Sequence, residues 1–90
     1  MNVLKTKQFE KDFRNLPIQM KSLVADVYED ILSAQTLYEV DNCKRLKGST
    51  DRYRIRVGGY RILFLLVVIE KTIVLRRVAP RGQAYKKSNT

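Results

Sequence analysis

The chain contains no histidine. This removes the Ser-His and Cys-His pairs of nucleophilic catalysis and the usual zinc sites. Carboxylates are scarce in the second half, where only Asp51 and Glu70 follow residue 41. A two-metal nuclease gathers several acidic ligands in one place, and these two stand at opposite ends of the Arg52–Ile69 stretch. No metal and no other cofactor is expected. Cys43 is the single cysteine, so no internal disulfide can form, which fits a reducing cytoplasm. P-loop and Gly-rich dinucleotide motifs are missing. The opening residues, Met1 to Lys7, lack the apolar run of a signal peptide. The longest apolar run, Ile62–Ile69, is too short to span a bilayer. A cytoplasmic protein with no membrane partner is the expectation.

What the chain does have is positive charge. Its 90 residues make one domain with a modest core and carry a formal charge of +9. Residues 1–41 hold five Lys/Arg and seven Asp/Glu, whereas residues 42–90 hold thirteen and two. Such asymmetry points to nucleic acid or an acidic protein partner; a merely solvated basic surface is the plainer alternative.

The charge is densest between Arg52 and Phe64, in a run that alternates strictly on both sides of Gly58-Gly59. Period-two alternation marks half-buried strands. A Gly-Gly pair between two such runs marks a tight hairpin, here expected to be type I′. Folded there, Val57 faces Tyr60, Ile55 faces Ile62 and Tyr53 faces Phe64, and these six form the core side. The other side carries Arg52, Arg54, Arg56 and an exposed Arg61, with Arg56 opposite Arg61. Like charges so placed cost stability, and a rigid hairpin that tolerates them suits a polyanion.

Around this hairpin the periodicity predicts an α+β domain. A short strand is expected at Val3-Leu4, then a helix capped by Thr6 with Phe9, Phe13 and Leu16 on one face. Lys7, Lys11 and Arg14 lie on the other face. Pro17 ends that helix and opens a second, from about Pro17 to Gln35, which buries Met20, Leu23, Val24, Val27 and Ile31 and exposes Asp26, Glu29 and Asp30. Residues 36–51 lose the pattern. They hold a short strand near Asn42–Leu46, a core plug at Leu46, exposed Lys44, Arg45 and Lys47, and a turn at Gly48. Ile62–Ile69 reads as a central strand, and Thr72–Val78 as another that ends at Pro80. Arg76 and Arg77 alternate sides. A basic tail follows, Arg81 to Lys87, with one aromatic residue, Tyr85.

Without histidine or an acidic cluster, phosphate chemistry falls to cations. Guanidinium groups bind phosphate oxygens in a bidentate manner and stay charged at any working pH. Arg54, Arg56, Arg61 and Arg81 are candidates to surround one scissile phosphate and stabilise charge that grows in the transition state. RNA supplies its own nucleophile in the 2′-hydroxyl. Tyr85 is a candidate either to titrate among arginines or to stack on a base. Lys44, Arg45, Lys47, Arg52 and Lys86 are candidate RNA contacts. The alternative is a module that binds RNA or DNA phosphates and does nothing further.

The order and spacing of these pieces resemble the RelE/ParE superfamily of bacterial and archaeal toxin–antitoxin toxins over almost the whole chain. The resemblance rests on Phe9-x-x-x-Phe13-x-x-Leu16-Pro17, Lys44-x-Leu46-x-Gly48, the Tyr53–Phe64 hairpin and Arg81-x-x-x-Tyr85-Lys86. It implies two N-terminal helices packed on a small twisted antiparallel sheet. It also implies a cognate antitoxin and, for RelE-type members, ribosome-dependent cleavage of mRNA. The catalytic positions carried over are Arg54, Arg56, Arg61, Arg81 and Tyr85. RelE-type members carry lysines at the first two, one of them with the base role. Arginine holds phosphate but is a poor base, which shifts the proton role toward Tyr85. ParE-type members, which poison DNA gyrase without cutting RNA, are the alternative within the superfamily.

Overall fold

The computed structural model describes residues 1–84. The chain runs β1 (Asn2–Lys5), α1 (Lys7–Arg14), α2 (Ile18–Ser33), a 3₁₀ turn (Leu37–Glu39), β2 (Cys43–Arg45), β3 (Arg52–Val57), β4 (Tyr60–Val67), β5 (Thr72–Pro80) and α3 (Arg81–Ala84). The strands form one sheet in the order β1-β5-β4-β3-β2. The expected α+β architecture is borne out, with one addition: β1 pairs parallel to β5, while every other pair is antiparallel. No helix among the described residues is long and apolar enough to cross a membrane.

Local chemistry sets the element boundaries. Thr6 caps α1, its Oγ1 accepting from the Phe9 N–H at 3.1 Å and donating to the Arg76 carbonyl at 3.1 Å. One side chain thus ties the helix start to the sheet. Pro17 stands at the N-cap of α2, where its missing N–H costs nothing. At the other end of α2 the Met1 ammonium donates to the carbonyls of Ile31, Leu32 and Ala34 at 3.3, 3.0 and 2.9 Å. Ile31 and Leu32 belong to the last turn of α2 and Ala34 is its C-cap, where carbonyls run short of intrahelical partners.

The core lies between the helices and one face of the sheet. Phe9, Leu16, Val24 and Ile31 meet Ile55, Ile62, Phe64, Ile73, Leu75 and Val78 there, all buried. On α2 the buried line is narrower than the sequence suggests. Met20 and Val27 are half-buried, but Leu23 is 45% exposed. Val24 and Ile31 are seven residues apart and lie on one line, whereas Leu23 is turned about 100° from Val24. Leu46 does not plug the core either. Strand parity puts Lys44 and Leu46 on the outer face of β2 and Cys43 and Arg45 on the helix side. Between α2 and β2 it is Ala34 and Val40 that are buried in the core.

The β3–β4 hairpin has the expected register, Val57 with Tyr60, Ile55 with Ile62 and Tyr53 with Phe64. Tyr53 and Phe64 stack, with ring centroids 5.3 Å apart and planes within 8°. The turn differs from type I′, because Gly58 has φ +58° whereas Gly59 has no positive φ. A positive φ at the first central residue alone is the requirement of type II′. A Cβ at Gly58 would meet Met20 Cε at 3.2 Å, so the glycine also makes room for α2.

Candidate nucleic-acid interface

The outer face of the sheet, turned away from α1 and α2, collects the basic side chains of β2, β3 and β4. Arg56 pairs with Arg61, Arg54 lies between Lys44 and Leu63, and Arg52 pairs with Leu65. The amide of Arg56 donates to the Asn42 carbonyl and that of Leu46 to the Arg52 carbonyl. Residues 52, 54 and 56 therefore spend their backbone bonds on the β2 side. Toward β4 they form non-hydrogen-bonded pairs, in which facing side chains come closest. The Arg56–Arg61 contact is thus the tightest kind of cross-strand pair, made between like charges.

Arg81 joins them at the same end. Its amide donates to the Gly59 carbonyl at 3.0 Å, which fixes the start of α3 beside the hairpin turn. Among the candidates, Arg56 and Arg81 are exposed and Arg54 is half-buried. Arg61 is not exposed as expected: it is only 6% accessible. It occupies the central strand between Arg56 and Ala79, and α3 packs against β4 and β5. Its Nη1 donates to the Tyr60 carbonyl at 3.1 Å.

Two expected contacts fall elsewhere. Arg45 faces the helix side, in register with Tyr53, and does not share the arginine face. Lys47 is exposed in the loop before β3, next to Gly48 with φ +79°. Tyr85 and Lys86 lie outside the described residues. Arg76 and Arg77 are resolved by a bulge: Leu63 pairs with Arg77 and Phe64 with Leu75, which leaves Arg76 as the extra residue. Arg77 is held by Asp12, Nε to Oδ2 at 2.8 Å, and Asp12 also accepts from the Val78 amide at 3.1 Å.

That Arg77–Asp12 contact is the only ion pair among the described residues. The arginines of the outer face therefore have no carboxylate partner there. A buried guanidinium without a counter-ion is costly, and an incoming phosphate would offset that cost. Among the described residues, no group of three or more Cys, Asp or Glu side chains could hold a metal ion. Burial pushes the Cys43 thiol up to about 11, against the opposing pull of Arg54. It is neutral at physiological pH and unsuited to nucleophilic work.

One contributor was missed from the sequence. Asn42 has φ +61°, and its carbonyl accepts from both the Arg56 amide at 3.2 Å and Arg54 Nη1 at 3.3 Å. The signal was available, since asparagine is among the few residues that tolerate this conformation.

No family model matches the chain. Toxin RelE3 of Methanocaldococcus jannaschii is 35% identical over 86 residues, covering 94% of this chain and 96% of that protein. The chain belongs to the RelE toxin family. Among solved structures it is similar to a RelB-RelE antitoxin-toxin complex from Methanococcus jannaschii, with a TM-score of 0.79 and 32% identity over 91% of this chain and 94% of that one. An archaeal RelE-RelB complex from Pyrococcus horikoshii OT3 gives a TM-score of 0.73 and 27% identity over 91% and 96% of the two chains. The RelE likeness thus spans both helices and the arginine hairpin alike.

Proposed function

We propose that this RelE-family toxin is a ribosome-dependent endoribonuclease that cuts mRNA without a metal, works in the cytoplasm and is held in check by a cognate antitoxin. The observation that carries the reading is the outer face itself, where Lys44, Arg52, Arg54, Arg56 and Arg61 share one sheet surface with no carboxylate partner among the described residues. In the proposed reaction the 2′-oxygen of the nucleotide attacks its own 3′-phosphorus. The new O–P bond forms as the bond to the 5′-oxygen of the next nucleotide breaks. The products are a 2′,3′-cyclic phosphate and a 5′-hydroxyl, and the proton lost by the nucleophile is balanced by one gained by the leaving oxygen. Arg54, Arg56 and Arg81 neutralise charge on the phosphoryl oxygens, while Arg61 adds positive potential from below the surface. Each such donor is worth about 10²–10³ in rate. The ribosome aligns the strand, a contribution of the kind that positioning makes to any intramolecular attack. Tyr85 takes the proton role, since no arginine titrates near neutrality.

Primer extension on mRNA in a translating extract, with and without ribosomes, tests the proposal. Site-defined cuts that need ribosomes support it. Intact mRNA together with blocked gyrase supercoiling would replace it with a gyrase poison on the same fold.

A further inference from the structure

A cleft of about 340 Å³ lies between the two helices, on the side of the sheet opposite the arginine face. Phe9 and Phe13 of α1, Val24 and Ile31 of α2, and Ile62 and Leu75 of the sheet line it. Five of these six are buried. Phe13 is half-buried, as is Tyr28, which also lines the cleft. The gap has a local cause. Ala25 lines it from α2 with a single methyl, one turn before Tyr28, where a larger side chain would fill the space.

The charged groups stand at the rim. Lys5, Glu10 and Arg14 line the cleft and are all exposed. Glu10 and Arg14 are four residues apart on α1, a spacing that suits an ion pair. They form none, since Arg77–Asp12 is the only ion pair among the described residues. Lys5 sets its Nζ 5.0 Å from the centre of the Tyr28 ring, a cation–π contact. The rim thus carries two cations without an ion-pair partner among the described residues, against one carboxylate. A few hundred Å³, apolar and aromatic walls and a few charged groups are the character of a small-molecule site. At about 30 Å³ per water-sized group, the cleft holds about ten non-hydrogen atoms.

We propose that this cleft binds a small amphipathic monocarboxylate, its apolar body between the helices and its carboxylate between Lys5 and Arg14. The body covers Phe13 and Tyr28. The Arg14 guanidinium offers a fork of N–H donors to the carboxylate, and Lys5 adds a point charge. A nucleotide suits the site less, because its sugar and base edges need polar partners and the walls between the helices are apolar. A cationic amphiphile meets the wrong balance of charge at the rim. Only the folded chain has the cleft, so the ligand stabilises the fold by mass action. The site contains none of the outer-face arginines and does not depend on the toxin reading.

Octanoate is the probe, titrated into the isotope-labelled full chain and followed by methyl resonances and by Tm. Saturable shifts of the Val24, Ile31 and Ile62 methyls are expected, with a Tm that rises with octanoate concentration. Octylammonium, which keeps the body, and acetate, which keeps the head, are expected to do neither. Lys5→Gln and Arg14→Gln should each weaken binding about two- to fivefold, and Glu10→Gln should tighten it by a similar factor, as exposed charges do. Ala25→Leu enlarges an exposed helical position, so the chain should stay folded while binding falls at least about tenfold. Equal binding of octylammonium, wild-type affinity in Ala25→Leu, weaker binding by Glu10→Gln, or shifts confined to Arg54 and Arg56 would overturn the proposal. So would phosphatidylglycerol vesicles that bind the chain when octanoate does not, or a dimer, detected by sedimentation, that shifts the same methyls with no ligand present.

Discussion

At the scale of the residue, burial separates positions that look equivalent in the sequence. Gly58 and Gly59 are neighbours in one turn, yet only Gly58 has a positive φ and a close neighbour in Met20. Gly58→Ala is expected to cost about 1–2 kcal/mol, read as a lower urea midpoint, while Gly59→Ala, with nothing within 4 Å, should leave stability nearly unchanged. Equal effects would show that the turn is not held as described. Arg56 and Arg61 form another such pair. Arg61→Ala removes a buried stem as well as a charge, so about 1–3 kcal/mol of stability should go with the activity. Arg61→Met keeps most of the stem and should stay folded, while cleavage falls about 10²–10³-fold. A Met variant that cleaves at the wild-type rate would remove Arg61 from the machinery. Tyr85→Phe separates proton transfer from stacking. Loss of an acid–base group costs about 10²–10⁴ in rate, so single-turnover cleavage on saturated ribosomes should slow with affinity nearly kept. Wild-type rates in the Phe variant would leave Tyr85 a stacking residue and the base unassigned.

At the scale of the element, the hairpin was legible and its surroundings were less so. Strict alternation around Gly58-Gly59 leaves little choice of register, because a slip by one would turn every arginine into the core. The helix boundaries were likewise marked by Thr6 and Pro17. Short strands carry no comparable constraint. Leu46 was assigned to the core on its hydrophobicity alone, and strand parity in a three-residue β2 turned it outward. The bulge at Arg76 could not be read, since nothing between Phe64 and Leu75 specifies an extra residue before the strands pair. Arg61's burial was not legible either, because alternation within β4 reports the face of a side chain and not what packs over it. The parallel β1–β5 pairing also escaped notice, and β1 has a second role. It delivers the Met1 ammonium to the end of α2, where three carbonyls accept from it. A cation there is favoured by the helix dipole. A Gly-Ser extension before Met1 would replace the ammonium with an amide, and is expected to cost about 1 kcal/mol, or roughly 4–8 °C in Tm. An unchanged melting curve would mean that these bonds contribute nothing net.

At the scale of the whole molecule, the two halves of the chain divide the work. The first supplies the acidic outer face of α2, with Asp26, Glu29 and Asp30 all exposed, and the second supplies the cations. On the proposed function, such a division would orient the molecule in the field of a polyanion before any contact is made. It also sets how binding responds to salt. Lys44, Arg52, Arg56 and Arg81 are exposed and Arg54 is half-buried on or beside the outer face. If each neutralises one phosphate of single-stranded RNA, the slope of log K against log salt should be about −3 to −4, at roughly 0.7 per contact. Arg56→Ala should flatten it by about 0.7, since one released counter-ion is lost. Lys7→Ala on α1, also exposed but on the helical layer, should leave the slope alone. Equal flattening by the two variants would mean that net charge, and not the arginine face, meets the nucleic acid. A slope near zero would take the basic half of the chain out of the interface altogether.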